Sequence, residues 1–100
     1  MTSAVPLIDD NTADGYGGAI MLLGGTLSVT RGTASNNSAV GSSGSEGRGG
    51  FLYNSNGTVT LTDATLSNNS ATSGSNTGNA RGGAIYSSGV SGSLTIIGGT

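Results

Sequence analysis

A Gly-Gly pair returns three times along this chain, as Gly17-Gly18-Ala19-Ile20, Gly49-Gly50-Phe51-Leu52 and Gly82-Gly83-Ala84-Ile85, with starts 32 and 33 residues apart. Two further blocks recur in phase with it. Each pair is followed by an alternating run, Thr26-Leu27-Ser28-Val29-Thr30, Thr58-Val59-Thr60-Leu61-Thr62 or Ser93-Leu94-Thr95-Ile96-Ile97. Each is preceded by an Asn-bearing block, Ile8-Asp9-Asp10-Asn11-Thr12-Ala13, Ala34-Ser35-Asn36-Asn37-Ser38-Ala39 or Leu66-Ser67-Asn68-Asn69-Ser70-Ala71. A unit this short cannot bury its apolar positions alone, so units must stack, like segment on like segment.

The segments alternate with period two and are bounded by Gly, Ser and Asn, which marks strands and corners. The expectation is an all-β, right-handed parallel β-helix of about three coils. Residues 1–100 form a single segment, cut at the Gly-Gly pairs into a partial coil 1–16, coils 17–48 and 49–81, and a partial coil 82–100, with three strands per unit. Alternation predicts inward columns Leu27/Val59/Leu94, Val29/Leu61/Ile96 and Ile20/Leu52/Ile85, with Ala13, Ala34, Ala39, Leu66 and Ala71 on the remaining wall. Length varies in the linkers Val40 to Arg48 and Thr72 to Arg81, as for loops hanging off a regular stack. Asn11, Asn37 and Asn69 share one phase and are expected to form a corner ladder of amides, which is favoured over a calcium site because the glycine-aspartate nonapeptide of calcium-binding β-rolls is missing.

Composition excludes several function classes. Only 8% of residues are charged and the formal net charge is -2, so the basic footprint of nucleic-acid binding is missing. The apolar run Ala19 to Leu23 is far shorter than the roughly 20 residues of a membrane-spanning helix. No signal peptide is expected within these residues, and with no Cys the redox compartment stays open.

The Gly-Gly-Ala-Ile motif with a downstream apolar-x-x-Asn resembles the polymorphic outer-membrane-protein repeat of bacterial parallel β-helix proteins. Gly17 to Ile20 and Gly82 to Ile85 match its GGA(I/L/V) motif, and Gly49 to Leu52 departs at Phe51. Leu66 to Asn69 approximates the FxxN motif with Leu for Phe, while Ala34 to Asn37 and Ile8 to Asn11 are weaker matches. The resemblance implies a parent that is exported and displayed extracellularly or at the cell surface, as a structural or adhesive module presenting an outer face to a glycan or surface protein.

The residues themselves offer few catalytic groups. Asp9, Asp10 and Asp14 form the one dense carboxylate group and are the weak catalytic candidates for a carbohydrate-active hydrolase or lyase; a solvated corner is the favoured reading. Ser and Thr lack a His or Lys base. No cofactor and no metal site are expected.

Two surfaces suggest binding. Met21, Tyr53 and Tyr86 fall on the outward face of one wall, with Phe51 beside them, and Arg48 and Arg81 stack at the neighbouring corner, where Tyr16 takes their place in the first coil. Aromatic rings and guanidinium groups suit sugar rings, an acidic glycan or a protein partner. The second surface is the outward array Thr26, Ser28, Thr30, Thr58, Thr60, Thr62 and Thr95, with Ser93 and Ile97, which resembles ice-binding β-solenoids. Arg31 and Asp63 are expected to stack as an exposed ion pair. Uncapped ends predict a homo-oligomer through end-to-end or edge association.

Overall fold

The computed structural model describes residues 7–41, 46–73, 80–89 and 92–100. Among these residues there is no helix, and the strands make three circuits. The first holds β1 (Leu7–Asp9), β2 (Thr12–Asp14), β3 (Ile20–Leu22) and β4 (Thr26–Thr30). The second holds β5 (Thr33–Ser35), β6 (Ser38–Val40), β7 (Leu52–Ser55) and β8 (Thr58–Thr62), and the third β9 (Thr65–Ser67), β10 (Ser70–Thr72), β11 (Ile85–Ser88) and β12 (Ser93–Ile97). Equivalent strands pair in parallel as four walls, β1-β5-β9, β2-β6-β10, β3-β7-β11 and β4-β8-β12. The protein is a parallel β-solenoid of three coils.

Each coil has four strands where three were expected. The Asn block is not one segment but two, bent at a corner where Asp10, Asn36 and Asn68 adopt φ of 56°, 55° and 53°. Short polar side chains tolerate this left-handed conformation better than most. The same device marks the other corners: Gly17, Gly49 and Gly82; Gly24, Asn56 and Gly89; Arg31, Asp63 and Gly98. In the first coil these residues fall at 10, 17, 24 and 31, one per corner. Most of the two variable linkers, 42–45 and 74–79, lies outside the described residues.

The register places Leu27, Val59 and Leu94 in one column, Val29, Leu61 and Ile96 in a second, and Ile20, Leu52 and Ile85 in a third. Burial is greatest in the second coil, because only it has a neighbour on both sides: Leu52, Val59 and Leu61 are buried, whereas Leu94 and Ile96 are exposed. Full burial of such a side chain contributes about 1.5–3 kcal/mol.

Phe51 corrects the outward-stripe reading. It is 0% exposed and belongs to the core with Ala34, Leu52, Val59, Leu61 and Ala64. The cause is local backbone geometry: the N–H groups of Phe51 and Leu52 both donate to Ala84 O, at 2.7 and 3.0 Å. Two successive amides that share one carbonyl interrupt the pleat as a bulge does, so both side chains turn inward. Phe51 thus fills the interior left open by the small Ala34 and Ala64.

Two buried asparagines hold the corners. Asn37 Oδ1 accepts from Asn11 N and Nδ2, at 3.1 and 2.9 Å, while Asn37 N and Nδ2 donate to Asn69 Oδ1 at the same two distances. The expected ladder is therefore present, and every amide in it links two coils. Asn54, also fully buried, was not anticipated: it accepts from Gly57 N at 3.0 Å and donates to Gly57 O and Ser87 Oγ, each at 3.0 Å. The turn motif Asn54-Ser55-Asn56-Gly57 was the available signal.

Candidate functional site

The outward residues of the β3-β7-β11 wall lie in register, Met21 against Tyr53 and Tyr53 against Tyr86. In-register parallel pairing brings like rings over one another. The Tyr53 and Tyr86 rings stack at 5.4 Å between centroids and 8° between planes. Tyr16 joins from the preceding corner, 4.8 Å from Tyr53 at 13°, so a three-ring stack crosses all three coils. With the middle ring covered on both faces, the stack offers its edges and its end rings.

Tyr16, Arg48 and Arg81 are paired by isolated parallel bridges at the adjoining corner, as their positions before the Gly-Gly pairs predicted. The Arg48 guanidinium lies 5.1 Å from the Tyr16 centroid and 5.2 Å from that of Tyr86, within cation–π range. Glu46 accepts from Arg48 Nε at 2.7 Å and also from Arg48 Nη2, and Arg81 Nε lies 3.9 Å from the same carboxylate oxygen. That hydrogen bond raises the Arg48 pKa against the opposing effect of burial, so the guanidinium stays charged.

Glu46 changes the chemistry read from the two arginines. It partly neutralises both, and a half-buried Arg48 held by carboxylate and rings has little left for an acidic ligand. Beside it opens a groove of about 310 Å³ lined by Asp14, Gly15, Tyr16, Met21 and Glu46. Two carboxylates accept hydrogen bonds from hydroxyl groups, and a ring beside a thioether offers a surface for C–H groups. Asp14 was read only as a weak catalytic candidate, and Tyr16 and Glu46 were not assigned to a site. The short first-coil linker, which sets Tyr16 at the corner, was the signal for one, and the Glu46-x-Arg48 spacing for the other.

The remaining candidates fall elsewhere. Asp9 sits on β1, Asp10 at the left-handed corner and Asp14 on β2, so the acidic group is divided between two walls. Asp9 Oδ1 accepts from Ser35 Oγ at 2.8 Å and Asn36 Nδ2 at 3.0 Å, and these bonds hold its carboxyl below the ordinary Asp range. Among the described residues no three His, Cys, Asp or Glu side chains gather as a metal site. Arg31 and Asp63 occupy equivalent corners but form no ion pair: among the described residues the ion pairs are those of Glu46 with Arg48 and Arg81. The left-handed turn at each of these two residues directs its backbone amide to the next coil, Arg31 N to Thr62 O and Asp63 N to Ile97 O, both 2.8 Å. The Thr array lies in register, Thr26, Ser28 and Thr30 against Thr58, Thr60 and Thr62, and these against Ser93, Thr95 and Ile97.

A lowered Asp9 pKa has a consequence for stability. A carboxylate depressed by native hydrogen bonds contributes stability above its unfolded pKa, about 3.9, which is lost as pH falls through the lower folded value. Asp9→Asn should flatten that acid limb in thermal melts between neutral pH and pH ~2; an unchanged pH profile would show that the bonds from Ser35 and Asn36 do not stabilise the fold.

Fold and groove together define a β-solenoid that displays a stacked aromatic and guanidinium face. The chain matches no protein-family model, no curated protein and no solved structure.

Proposed function

We propose that this chain is a structural or adhesive surface module of an exported bacterial β-helix protein of the polymorphic outer-membrane-protein repeat type, and that its outer face binds a glycan. The three-tyrosine stack with Arg48 and the adjoining groove carries this reading. Its side chains are held by each other and by parallel register, so little rotamer freedom is lost on binding. Asp14 and Glu46 favour hydroxyl groups over acidic ones, which makes a neutral glycan the better fit. The reading includes end-to-end association of copies, supported by the exposed apolar residues at the edge of the third coil.

Glycan-array binding followed by calorimetric titration tests it. Tyr16→Ala removes the ring that lines the groove and is expected to weaken a neutral oligosaccharide by about ten-fold, or ~1.4 kcal/mol, while Arg81→Ala changes affinity little. Unchanged affinity in Tyr16→Ala, or ligands confined to acidic sugars, rejects the assignment; capture of a protein with no glycan bound would favour a protein-binding face.

The in-register Thr array supports a second reading as an ice-binding face. Thermal hysteresis that Thr60→Tyr abolishes would establish it.

A further inference from the structure

Among the described residues the first and third coils each have an edge that no further coil covers, and the two edges are complementary. Ile96 is 58% exposed although the residue below it in its column, Leu61, is 1% exposed. A cavity of about 200 Å³ lies there, lined by Leu61, Ala64, Leu66 and Ile96 together with the terminal residues. At the other end Ile8, Ile20, Leu27 and Val29 are only partly buried. What could cover each end is constrained by hydrogen-bond polarity.

The asparagine relay runs one way. Each coil donates to the Oδ1 of the next, Asn11 to Asn37 and Asn37 to Asn69. Among the described hydrogen bonds, none engages Asn11 Oδ1 or the Asn69 N–H, so the relay starts in an acceptor and stops in a donor. The backbone at this corner has the same sense: Asp10 N donates to Ser35 O and Asn36 N to Ser67 O, while Ser38 N and Ser70 N donate back to Asn11 O and Asn37 O. The third coil therefore presents the N–H groups of Asn68 and Asn69 and the Asn69 carbonyl. The first presents the Asp9 carbonyl, Asn11 Oδ1 and the Thr12 N–H, which is the matching set.

Charge follows the same polarity. The first coil carries Asp9, Asp10 and Asp14 against Arg31, a formal charge of -2, whereas Arg81 is the one charged residue from 65 to 100. Stacking the third coil of one copy beneath the first coil of another places Arg81 next to Tyr16 and Asp14, Leu94 under Leu27 and Ile96 under Val29.

We propose that this chain binds a second copy of itself head to tail, continuing all four walls by one coil step through the corner bonds of Asn68 and Asn69 to Asp9, Asn11 and Thr12. This deepens the end-to-end association above and rests on that reading; the contact brings Arg81 of one copy to Tyr16 and Asp14, at the edge of the groove of the other. Because the contact is heterologous it does not close, and assembly grows along the axis.

Gly83 supplies a test variant. A Cβ at Gly50 would collide with Gly83 O and Ser70 of the next coil, whereas at Gly83 it meets only Asn69 O at 3.6 Å. Gly83→Ala should leave the isolated solenoid intact and block its tail. Thr12→Pro deletes the outward N–H and blocks the head. Sedimentation velocity of the 100-residue chain should show multiples of the 9.6 kDa unit, increasing with concentration and decreasing as salt screens the ends. Each variant alone should self-associate at least ten-fold more weakly, and an equimolar mixture should form a heterodimer that grows no further. Ile96→Lys provides a second tail block, with circular dichroism confirming that each variant is folded. A chain monomeric at every concentration overturns both the association and its polarity. A symmetric dimer, or folded variants that do not complement, overturns the polarity alone.

Discussion

Gly50→Ala is expected to abolish folding or to remove more than about 4 kcal/mol, while Gly83→Ala, the same change one coil later, shifts the dilute-solution midpoint by less than about 1 kcal/mol. The two glycines hold equivalent second places in their Gly-Gly pairs, and neither has positive φ. Conformational freedom therefore does not distinguish them. The difference lies in what faces the missing side chain. At Gly50 a methyl group would enter the space of Ser70 N and O and Gly83 O, all backbone atoms of the third coil that cannot rotate away. At Gly83 nothing stands nearer than ordinary contact distance. Gly18 repeats the crowding of Gly50, with Ser38 N at 2.7 Å. Each pair thus combines a first glycine in the left-handed region, 65°, 69° and 61° for Gly17, Gly49 and Gly82, with a second that lets neighbouring coils close at the corner. Urea unfolding followed by far-ultraviolet circular dichroism measures both variants; equal destabilisation would show that close approach is not the reason for the second glycine.

The second large effect is expected at Asn37. Replacement by Ala strands Asn11 N and Nδ2, Asn69 Oδ1 and Ile8 O, the last bonded at 3.2 Å, in the one coil shielded from both sides. Orphaning buried polar groups costs about 1–3 kcal/mol each, and since partial relaxation is available at the exposed Asn11, a total of about 3–5 kcal/mol is expected. That is a large fraction of the about 5–15 kcal/mol that holds a domain of this size.

Asn37→Asp separates the loss of a donor from the loss of bulk. Its second carboxylate oxygen would face Asn69 Oδ1 and Ile8 O, so burial and two acceptors raise the folded pKa above the unfolded value of about 3.9. Stability relative to the parent is then present below that unfolded value, where the carboxyl can donate, and is lost as pH rises through the folded one. Melting temperatures that rise toward the parent's on acidification would verify the relay; a pH-independent deficit would show that Asn37 acts by packing alone.

Much of this architecture was legible because a solenoid writes its contacts as a period. Leu27, Val59 and Leu94 are neighbours for the same reason that they are 32 and 35 positions apart, and the ladder of Asn11, Asn37 and Asn69 follows from the same phase. The division of the Asn block was legible only in part. Asp10, Asn36 and Asn68 are residues that tolerate positive φ, yet nothing local says that the chain must turn there and not continue as one strand. Phe51 misled because alternation was extended across a corner where two amides share one carbonyl.

The candidate site shows the sharper division. Tyr53 and Tyr86 were placed on one outward column by register alone, but Tyr16 stands five positions before Met21 and reaches the stack only because the corner folds it back beside Tyr53. Likewise Glu46 converts two arginines from a cationic pair into a partly neutralised, anchored cluster, through contacts that no periodicity encodes.

By itself, the sequence determined the coil period, the inward columns and the amide ladder, because parallel in-register stacking translates a repeat in one dimension into a column in three. Only the tertiary structure decided which corner groups meet, how many walls a coil has and in which direction the amide ladder donates. Those depend on the sign of single φ angles and on the direction of individual N–H groups, and neither leaves a periodic trace in the residues.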